Sequence, residues 1–145
     1  RYVLLHTIAH LIIREFSLEC GYNAASIQER IYASNDSDNP MAGILLYTAA
    51  SDSDGTLGGL VDLGKANELG RIMELAFRRA EICSSDPLCA QHDPADDRSL
   101  DAAACHACAF VAETSCEAGN KFLDRALVVN TFDCDTAAFF TIGDR

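Results

Sequence analysis

The hydrophobic positions at the start of the chain repeat with the period of an α-helix. Residues 2–18 carry apolar side chains at close to 3.6-residue spacing, namely Val3, Leu4, Ile8, Leu11, Ile12 and Phe16. This pattern predicts a helix that is buried over much of its surface. Gly21 follows it and is typical of the residue that ends a helix in the left-handed conformation.

The next two segments predict a pair of antiparallel strands. Residues 25–32 alternate loosely between apolar and polar side chains, which fits a strand or a short helix. The strand is favoured because residues 41–49 (MAGILLYTA) are almost entirely apolar and rich in β-forming side chains. The polar loop of residues 35–40 separates the two segments. We expect the second strand at the centre of a small sheet.

A glycine-rich connection leads from the second strand to a second helix. Gly55, Gly58 and Gly59 allow backbone conformations that other residues avoid. Residues 65–82 then place apolar side chains on one face and charged side chains on the other, as in an amphipathic helix. The fold class predicted by these patterns is α+β, with a small antiparallel sheet packed with helices.

Helical signals are weaker in the second half of the chain. Residues 93–99 (DPADDRS) predict an exposed loop, after which Ser99 or Asp101 is suited to cap a helix that begins near Leu100. A helix through residues 103–111 would place Cys105 and Cys108 side by side on one face, because they are three residues apart. Residues 120–129 predict a short helix or a helix–strand junction.

Length and composition limit the classes of protein that the chain can belong to. Its 145 residues, 49% of them hydrophobic, suffice for one domain with its own core. We expect a single domain over residues 1–145, the C-terminal part of a longer chain, because the sequence begins at Arg1 within an apolar pattern and without a methionine. Its apolar runs are shorter than the ~18 residues needed to cross a bilayer, and no signal peptide is recognisable. We expect a cytoplasmic protein.

The net charge of −11 argues against nonspecific binding of nucleic acid by this chain alone, because the summed field repels phosphate. Three arginines of the second predicted helix, Arg71, Arg78 and Arg79, form a candidate basic face. The favoured interpretation is a solvated helix face on which the arginines pair with glutamates.

Five of the seven cysteines lie between residues 83 and 116, in two close groups separated by a polar loop. A tetrahedral Zn²⁺ ion needs four nitrogen or sulfur donors whose backbones approach one point. The pair Cys105 and Cys108 has the C-x2-C spacing of such sites, whereas Cys83 and Cys89 are separated by five residues, with Pro87 available to fold the segment back. We predict that these four cysteines bind a structural zinc ion.

Other interpretations of the cysteines remain open. Cys116 is a reserve ligand and His106 a weaker substitute, whereas Cys20 and Cys134 are interpreted as core or surface thiols. The cysteines can also be buried small hydrophobic residues, disulfide partners, or, at residues 105 and 108, a redox pair. The odd cysteine count and the missing signal peptide argue against a disulfide framework.

Two histidines of the first helix also have metal-binding spacing. His6 and His10 are four residues apart and therefore lie on one face, but the segment HTIAH lacks the glutamate that acts as general base in HExxH peptidases. No third ligand is marked near them in the sequence. We interpret them as buried histidines with hydrogen-bond partners.

An ordered series of segments resembles one known family. The series is HTIAH, GYNAASIQERIY, AGILLYTAASDSDGTLGGL, CSSDPLC, AACHAC, ETSCE and NKFLDRALVV. It resembles the C-terminal MrfA-type zinc-binding (MZB) domain of DEAD/DEAH-box helicases and helicase-associated proteins, including those of the DISARM anti-phage system. The resemblance covers residues 3–130. It implies a zinc ion held by four cysteines; Cys105 and Cys108 match the close pair, and Cys83 and Cys89 match the wider one.

The resemblance also implies a function. It suggests a non-catalytic accessory domain in bacterial anti-phage defence that supports a helicase partner and contacts DNA through that complex. Helicase motor motifs are missing from the sequence, so ATPase activity would belong to a partner or to another part of the parent chain. Two other classes stay open. One is an autonomous DNA-binding module, and the other is an enzyme, either a hydrolase using His6, His10 and Glu15 or a thiol oxidoreductase.

Overall fold

The computed structural model describes residues 1–48, 59–132, 134 and 137–142. Over these residues the chain forms one two-stranded antiparallel sheet and four α-helices, which confirms the predicted α+β class. The elements in chain order are α1 (Tyr2–Cys20), β1 (Ile27–Ser34), β2 (Met41–Thr48), α2 (Gly59–Leu63), α3 (Ala66–Ala80) and α4 (Pro94–Asp97).

Helix α1 is the element against which most of the others pack. It contacts α3 and both strands, and its buried residues run without interruption from His6 to Ile13. This confirms the prediction of a helix buried over much of its surface. Gly21 ends the helix in the left-handed conformation with a φ of 72°, as predicted.

The two strands pair in antiparallel register, and one face of β1 is directed towards the core. Ile31 lies opposite Ile44, and Ser34 lies opposite Met41 at the end that carries the polar loop. A 3-10 turn at Ala24–Ser26 precedes β1. The burial pattern of β1 alternates, so that Ile27, Glu29 and Ile31 are buried while the residues between them are more exposed.

The prediction that β2 lies at the centre of the sheet is wrong. Among the described residues the sheet contains two strands, so β2 has one strand neighbour. Its apolar composition has a different origin: Ile44 and Leu46 pack on the hydrophobic core, whereas Leu45 and Tyr47 are exposed to 47% and 41%.

The main core forms between α1, β1 and α3. Val128 and Val129 from the C-terminal segment complete it, and both are fully buried. Its buried side chains are Ile8, Leu11, Ile12, Ile13, Phe16, Ile27, Ile72, Ala76, Phe77, Ala80, Val128 and Val129. Among the described residues, no helix combines the length and the hydropathy that a membrane span requires.

The second helix forms as predicted, but the helix expected after Leu100 does not. Helix α3 matches the amphipathic segment 65–82, and Gly59 starts the short helix α2 before it, whereas Gly55 and Gly58 lie outside the described residues. The exposed loop 93–99 contains the single turn α4, which the side chain of Asp93 caps. Residues 100–111 form bends, turns and irregular backbone instead of a helix.

The C-terminal part of the chain is also less regular than predicted. Residues 120–129 contain a 3-10 turn at Arg125–Leu127 in place of the short helix or helix–strand junction. The backbone of residues 102–103 pairs locally with that of residues 123–125, because the Leu123 carbonyl accepts from Ala102 N–H and the Ala103 carbonyl accepts from Arg125 N–H. These contacts bring the segment after residue 100 against the segment before Val128.

Ile72 on α3 tests the packing between the two long helices. Its side chain is fully buried, so we expect Ile72→Ala to lower the free energy of unfolding by about 3 kcal/mol, because the substitution leaves a cavity. Val61→Ala on α2, where the side chain is 76% exposed, serves as the control and should change stability by less than about 0.5 kcal/mol. Urea unfolding at a fixed zinc concentration measures both, and equal effects would contradict the described packing.

Candidate metal centre

The first pair of cysteines lies in a loop that begins directly after α3. Cys83 and Cys89 are both buried, and the loop between them consists of consecutive turns. The Asp86 N–H donates to the Cys83 carbonyl at 3.0 Å, and the Cys89 N–H donates to the Ser85 carbonyl at 3.0 Å. The Asp86–Pro87 peptide bond is cis. These turns bring two thiols that are six positions apart to the same side of the loop.

The second pair lies in a tight turn rather than on the predicted helix. The Cys108 N–H and the Ala109 N–H donate to the Cys105 carbonyl, at 3.2 Å and 2.9 Å. The Cys105 N–H donates to the Cys108 sulfur at 3.3 Å. The turn is favoured over a helix because it aims backbone N–H groups at sulfur atoms, which stabilises their deprotonated form.

The four sulfur atoms converge on one point. The Sγ atoms of Cys83 and Cys105 are 3.5 Å apart, those of Cys89 and Cys108 are 3.7 Å apart, and those of Cys105 and Cys108 are 3.8 Å apart. A zinc ion bound tetrahedrally to four thiolates at about 2.3 Å separates neighbouring sulfur atoms by about 3.8 Å. The donor set and its spacing therefore fit a zinc ion, and all four cysteines are free thiols.

Local hydrogen bonding prepares one of these thiols for deprotonation. Burial raises the pKa of the Cys105 thiol, but hydrogen bonds from the backbone N–H of Ala107, from the Cys83 thiol and from the backbone N–H of Cys108 lower it to about 7. The pKa of Cys89 is raised by its hydrogen bond with the Cys108 thiol and by burial. Binding of a divalent cation removes this difference in pKa between Cys105 and Cys89, because coordination to the metal deprotonates thiols outright.

A buried ion pair fixes the first cysteine loop to the rest of the chain. Arg125 is fully buried and forms an ion pair with Asp86, and it also donates to the Ala80 carbonyl at the end of α3, at 2.7 Å. The other oxygen of Asp86 accepts from the Cys83 N–H at 2.8 Å. One carboxylate therefore connects the 3-10 turn that contains Arg125 to the backbone of Cys83.

The remaining cysteines and His106 lie elsewhere. Cys116, the reserve ligand, is separate from the four-cysteine cluster and instead contacts His6, with its sulfur 3.1 Å from Nε2. The exposed ring of His106 stacks edge-on against Phe110. Cys20 and Cys134 are half-buried thiols outside the four-cysteine cluster.

Glu29 completes a cluster with His6, His10 and Cys116, and sequence reasoning missed it. The signal that identifies it is its strand position, since it lies between Ile27 and Ile31 on the inward face of β1. A glutamate at such a position is buried, which is rare without a partner.

The arginines of α3 pair with glutamates, as the favoured interpretation expects, although two of the acidic partners come from α1. Arg79 binds Glu15 at 2.8 Å and Glu19 at 2.9 Å, and Arg78 binds Glu74 at 3.2 Å. Arg71 similarly lies 3.5 Å from Glu68 on its own helix and 3.9 Å from Glu19. The candidate basic face is thus largely neutralised.

Comparison with known proteins agrees with this geometry. The family described as the MrfA Zn-binding domain matches residues 8–109, a span that contains all four cysteines of the cluster. The chain belongs to the MZB family. It is also 48% identical over 139 residues to the DISARM protein DrmB of Bacillus paralicheniformis, which covers 96% of this chain and 24% of that protein. The chain therefore spans about a quarter of the length of this relative.

Family membership and the cluster together support a structural zinc ion in this MZB domain. Four thiolates would complete the tetrahedral shell of the ion and leave no position for water or substrate. The bound ion would link the segment after α3 to the turn at Cys105–Cys108. Because an unfolded chain does not preform such a site, the free energy of metal binding contributes to folding.

Substitution of the clustered cysteines tests the ligand set. We expect serine at any one of four positions, Cys83, Cys89, Cys105 or Cys108, to remove one zinc ion per chain, because a hydroxyl is a much poorer ligand than a thiolate. Inductively coupled plasma mass spectrometry of the purified protein measures the loss, and circular dichroism reports the fold. Cys134→Ser, outside the cluster, should retain all metal. Full zinc content in a variant would remove that cysteine from the ligand set.

Asp86 tests the buried ion pair. We expect Asp86→Asn to lower the free energy of unfolding by about 3 kcal/mol, because it leaves the buried Arg125 charge without its partner. It should also weaken zinc binding, measured by competition with a chromophoric chelator, because the loop around Cys83 loses an anchor. The exposed Asp96→Asn is the matched control. Wild-type zinc affinity in Asp86→Asn would show that the loop is held by the metal alone.

Proposed function

We propose that this chain is a non-catalytic, zinc-stabilised module of a helicase-associated defence protein, and that it supports a helicase partner. The observation that carries the proposal is the 48% identity to the DISARM protein DrmB over almost the whole chain. The resemblance of its segments to MZB domains found on DEAD/DEAH-box helicases provides the class of partner. The module is one part of a longer protein in this proposal, in keeping with the quarter of the relative that it spans.

The geometry of the cysteine cluster favours a structural role over catalysis. Thiol–disulfide exchange requires one accessible pair of sulfur atoms, whereas four sulfur atoms converge here, with three of their pairs 3.5–3.8 Å apart. Four thiolate ligands also leave the metal without the open position that hydrolytic zinc sites keep.

The proposed hydrolase arrangement receives little support from the histidines. His6 and His10 are both fully buried, so a substrate has no access to their rings. Glu15, the candidate acid, forms an ion pair with Arg79, whereas the two histidines contact Glu29. We therefore place catalytic activity in a helicase partner or in another part of the parent protein.

We propose that DNA is contacted through the complex rather than by this chain alone. The net charge is −11, and Arg71, Arg78 and Arg79 of α3 are engaged with glutamates. A protein that binds the DNA backbone gains its affinity from cations that are free to replace counterions. Ion-paired arginines on an acidic domain supply little of this free energy.

Reconstitution of the full-length parent protein with a DEAD/DEAH-box helicase from the same organism tests the proposal. We expect the wild-type protein to co-elute with the helicase in size-exclusion chromatography and Cys105→Ser to lose that association, because the variant cannot form the zinc-stabilised fold. Cys20→Ser, a half-buried thiol outside the cluster, is the matched control and should co-elute normally. Undiminished association of a zinc-depleted Cys105→Ser protein would overturn the supporting role of this domain, as would the absence of any wild-type complex.

A further inference from the structure

A second cluster of metal-binding side chains lies apart from the four cysteines. It consists of His6 and His10 from α1, Glu29 from β1, and Cys116, which directly follows the 3-10 turn Glu113–Ser115. The two histidines and Glu29 are 3% exposed or less, and Cys116 is 8% exposed. One ligand atom from each residue lies within 4.8 Å of the other three.

The distances within this cluster are close to those around a single ion. The Nε2 atoms of His6 and His10 are 2.8 Å and 3.3 Å from Oε1 of Glu29. His6 Nε2 is also 3.1 Å from the Cys116 sulfur. Tetrahedral zinc would place nitrogen and oxygen donors about 3.3 Å apart and nitrogen and sulfur donors about 3.6 Å apart. These three separations differ from the tetrahedral values by about half an ångström or less.

Both histidine rings are oriented as metal ligands are. Nδ1 of His10 lies 3.0 Å from the Ala109 carbonyl, and Nδ1 of His6 lies 3.4 Å from the Phe122 carbonyl. A carbonyl oxygen only accepts hydrogen bonds, so each Nδ1 carries the proton that it donates. In a neutral ring this leaves the lone pair on Nε2, which faces the cluster. Such a backbone acceptor on the far nitrogen is the usual support of a histidine ligand.

The two acidic members are placed as anions that need a cation. Oε2 of Glu29 is buried and has no hydrogen-bond partner among the described residues. The Cys116 sulfur accepts from the backbone N–H of Ala118 at 3.4 Å and of Asn120 at 3.2 Å, as a thiolate would. Leaving a carboxylate oxygen unpaired in the interior costs free energy, and a metal ion would offset that cost.

From this geometry we infer that His6, His10, Glu29 and Cys116 bind a second divalent transition-metal ion, of which zinc is the expected occupant. A ligand set of two imidazoles, one carboxylate and one thiolate selects zinc and its neighbours over magnesium and calcium. The charges also balance, because the carboxylate and the thiolate together neutralise a divalent ion while the imidazoles stay neutral. Four protein donors in a closed interior leave no position for substrate, so the ion would be structural.

Protons are the competing occupants of the same cluster. Burial lowers the pKa of His6, but hydrogen bonds with Cys116 and Glu29 raise it to about 10 in the metal-free arrangement. Burial raises the pKa of Glu29, but hydrogen bonds with His10 and His6 lower it to about 2. A metal-free cluster would therefore hold buried imidazolium next to carboxylate, with a second histidine ring centroid only 4.6 Å away. Metal content distinguishes the two occupants directly.

The second ion would connect parts of the chain that the first does not reach. The four-cysteine site lies within residues 83–108, whereas this cluster joins α1, β1 and the segment after residue 115. His6 and Cys116 also lie outside the span of residues 8–109 that the MZB family matches. Family membership therefore does not supply this site.

Metal analysis of the purified protein, expressed with zinc in the medium, tests the inference. We expect Cys116→Ser and Glu29→Gln each to contain one metal ion fewer per chain than wild type, while Cys105→Ser loses a different ion and the double variant Cys105→Ser/Cys116→Ser loses two. Cys20→Ser and the exposed His106→Ala are matched controls and should retain all metal. Wild-type metal content in both Cys116→Ser and Glu29→Gln would overturn the second site and leave the four-cysteine site untouched.

Anomalous scattering from crystals of the wild-type protein provides a test that does not depend on the folding of any variant. Data collected at the zinc absorption edge should show two peaks in this chain, one among the four cysteines and one between His6 and Glu29. A single peak at the cysteines, with no anomalous peak between the histidines and Glu29, would mean that protons occupy the cluster and would refute the inference. A peak at the histidine cluster alone would support the second site and count against the first.

Discussion

Residues 81–130 contain one turn of α-helix and two 3-10 turns, yet they bury most of the cysteines of the chain and a full arginine side chain. Backbone hydrogen bonds within regular elements cannot hold such a segment, so the convergence of thiols at 3.5–3.8 Å has to be stabilised in another way. A zinc ion stabilises this arrangement, because four coordinate bonds compensate the free-energy cost of burying the four thiol groups. The buried pair of Arg125 and Asp86 then fixes the loop of the first two thiols to the end of α3.

The N-terminal half is stabilised by the packing of apolar side chains, and this explains why its elements can be predicted from the sequence. Helix α1, helix α3 and the hairpin have apolar patterns set by local periodicity, and packing follows from those patterns. The same reasoning wrongly predicts a helix in the segment around Cys105. Its run of small apolar residues favours a helix by propensity, but the thiols draw backbone N–H groups into turns. Helix propensity is overridden here by hydrogen bonds made within the turn itself.

The four-cysteine cluster could be predicted because its members lie close together in the sequence and share one side-chain type. The histidine cluster could not, since His6 and Cys116 are 110 residues apart and Glu29 belongs to a strand between them. The spacing of residues in the sequence predicts which side chains are neighbours within a helix or a turn, but it does not predict which strand packs against a helix. The one local sign was a glutamate at an inward position of β1, and its meaning depends on knowing that the strand packs against α1.

The two clusters differ in how far the folded chain must position their ligands before a metal ion binds. The cysteine turns gain their shape from hydrogen bonds within a few residues, so metal can assemble them from a partly ordered segment. The histidine cluster needs α1 and β1 already packed before its four donors meet, because three of them come from those elements. Once packed, the interior holds a carboxylate and a thiol against two imidazoles, and burial penalises every uncompensated charge there. A divalent ion neutralises both acidic groups with neutral histidines, whereas protons would have to charge imidazole rings in direct contact with each other. The same burial that makes the cluster costly when empty therefore makes it selective for a cation of charge two.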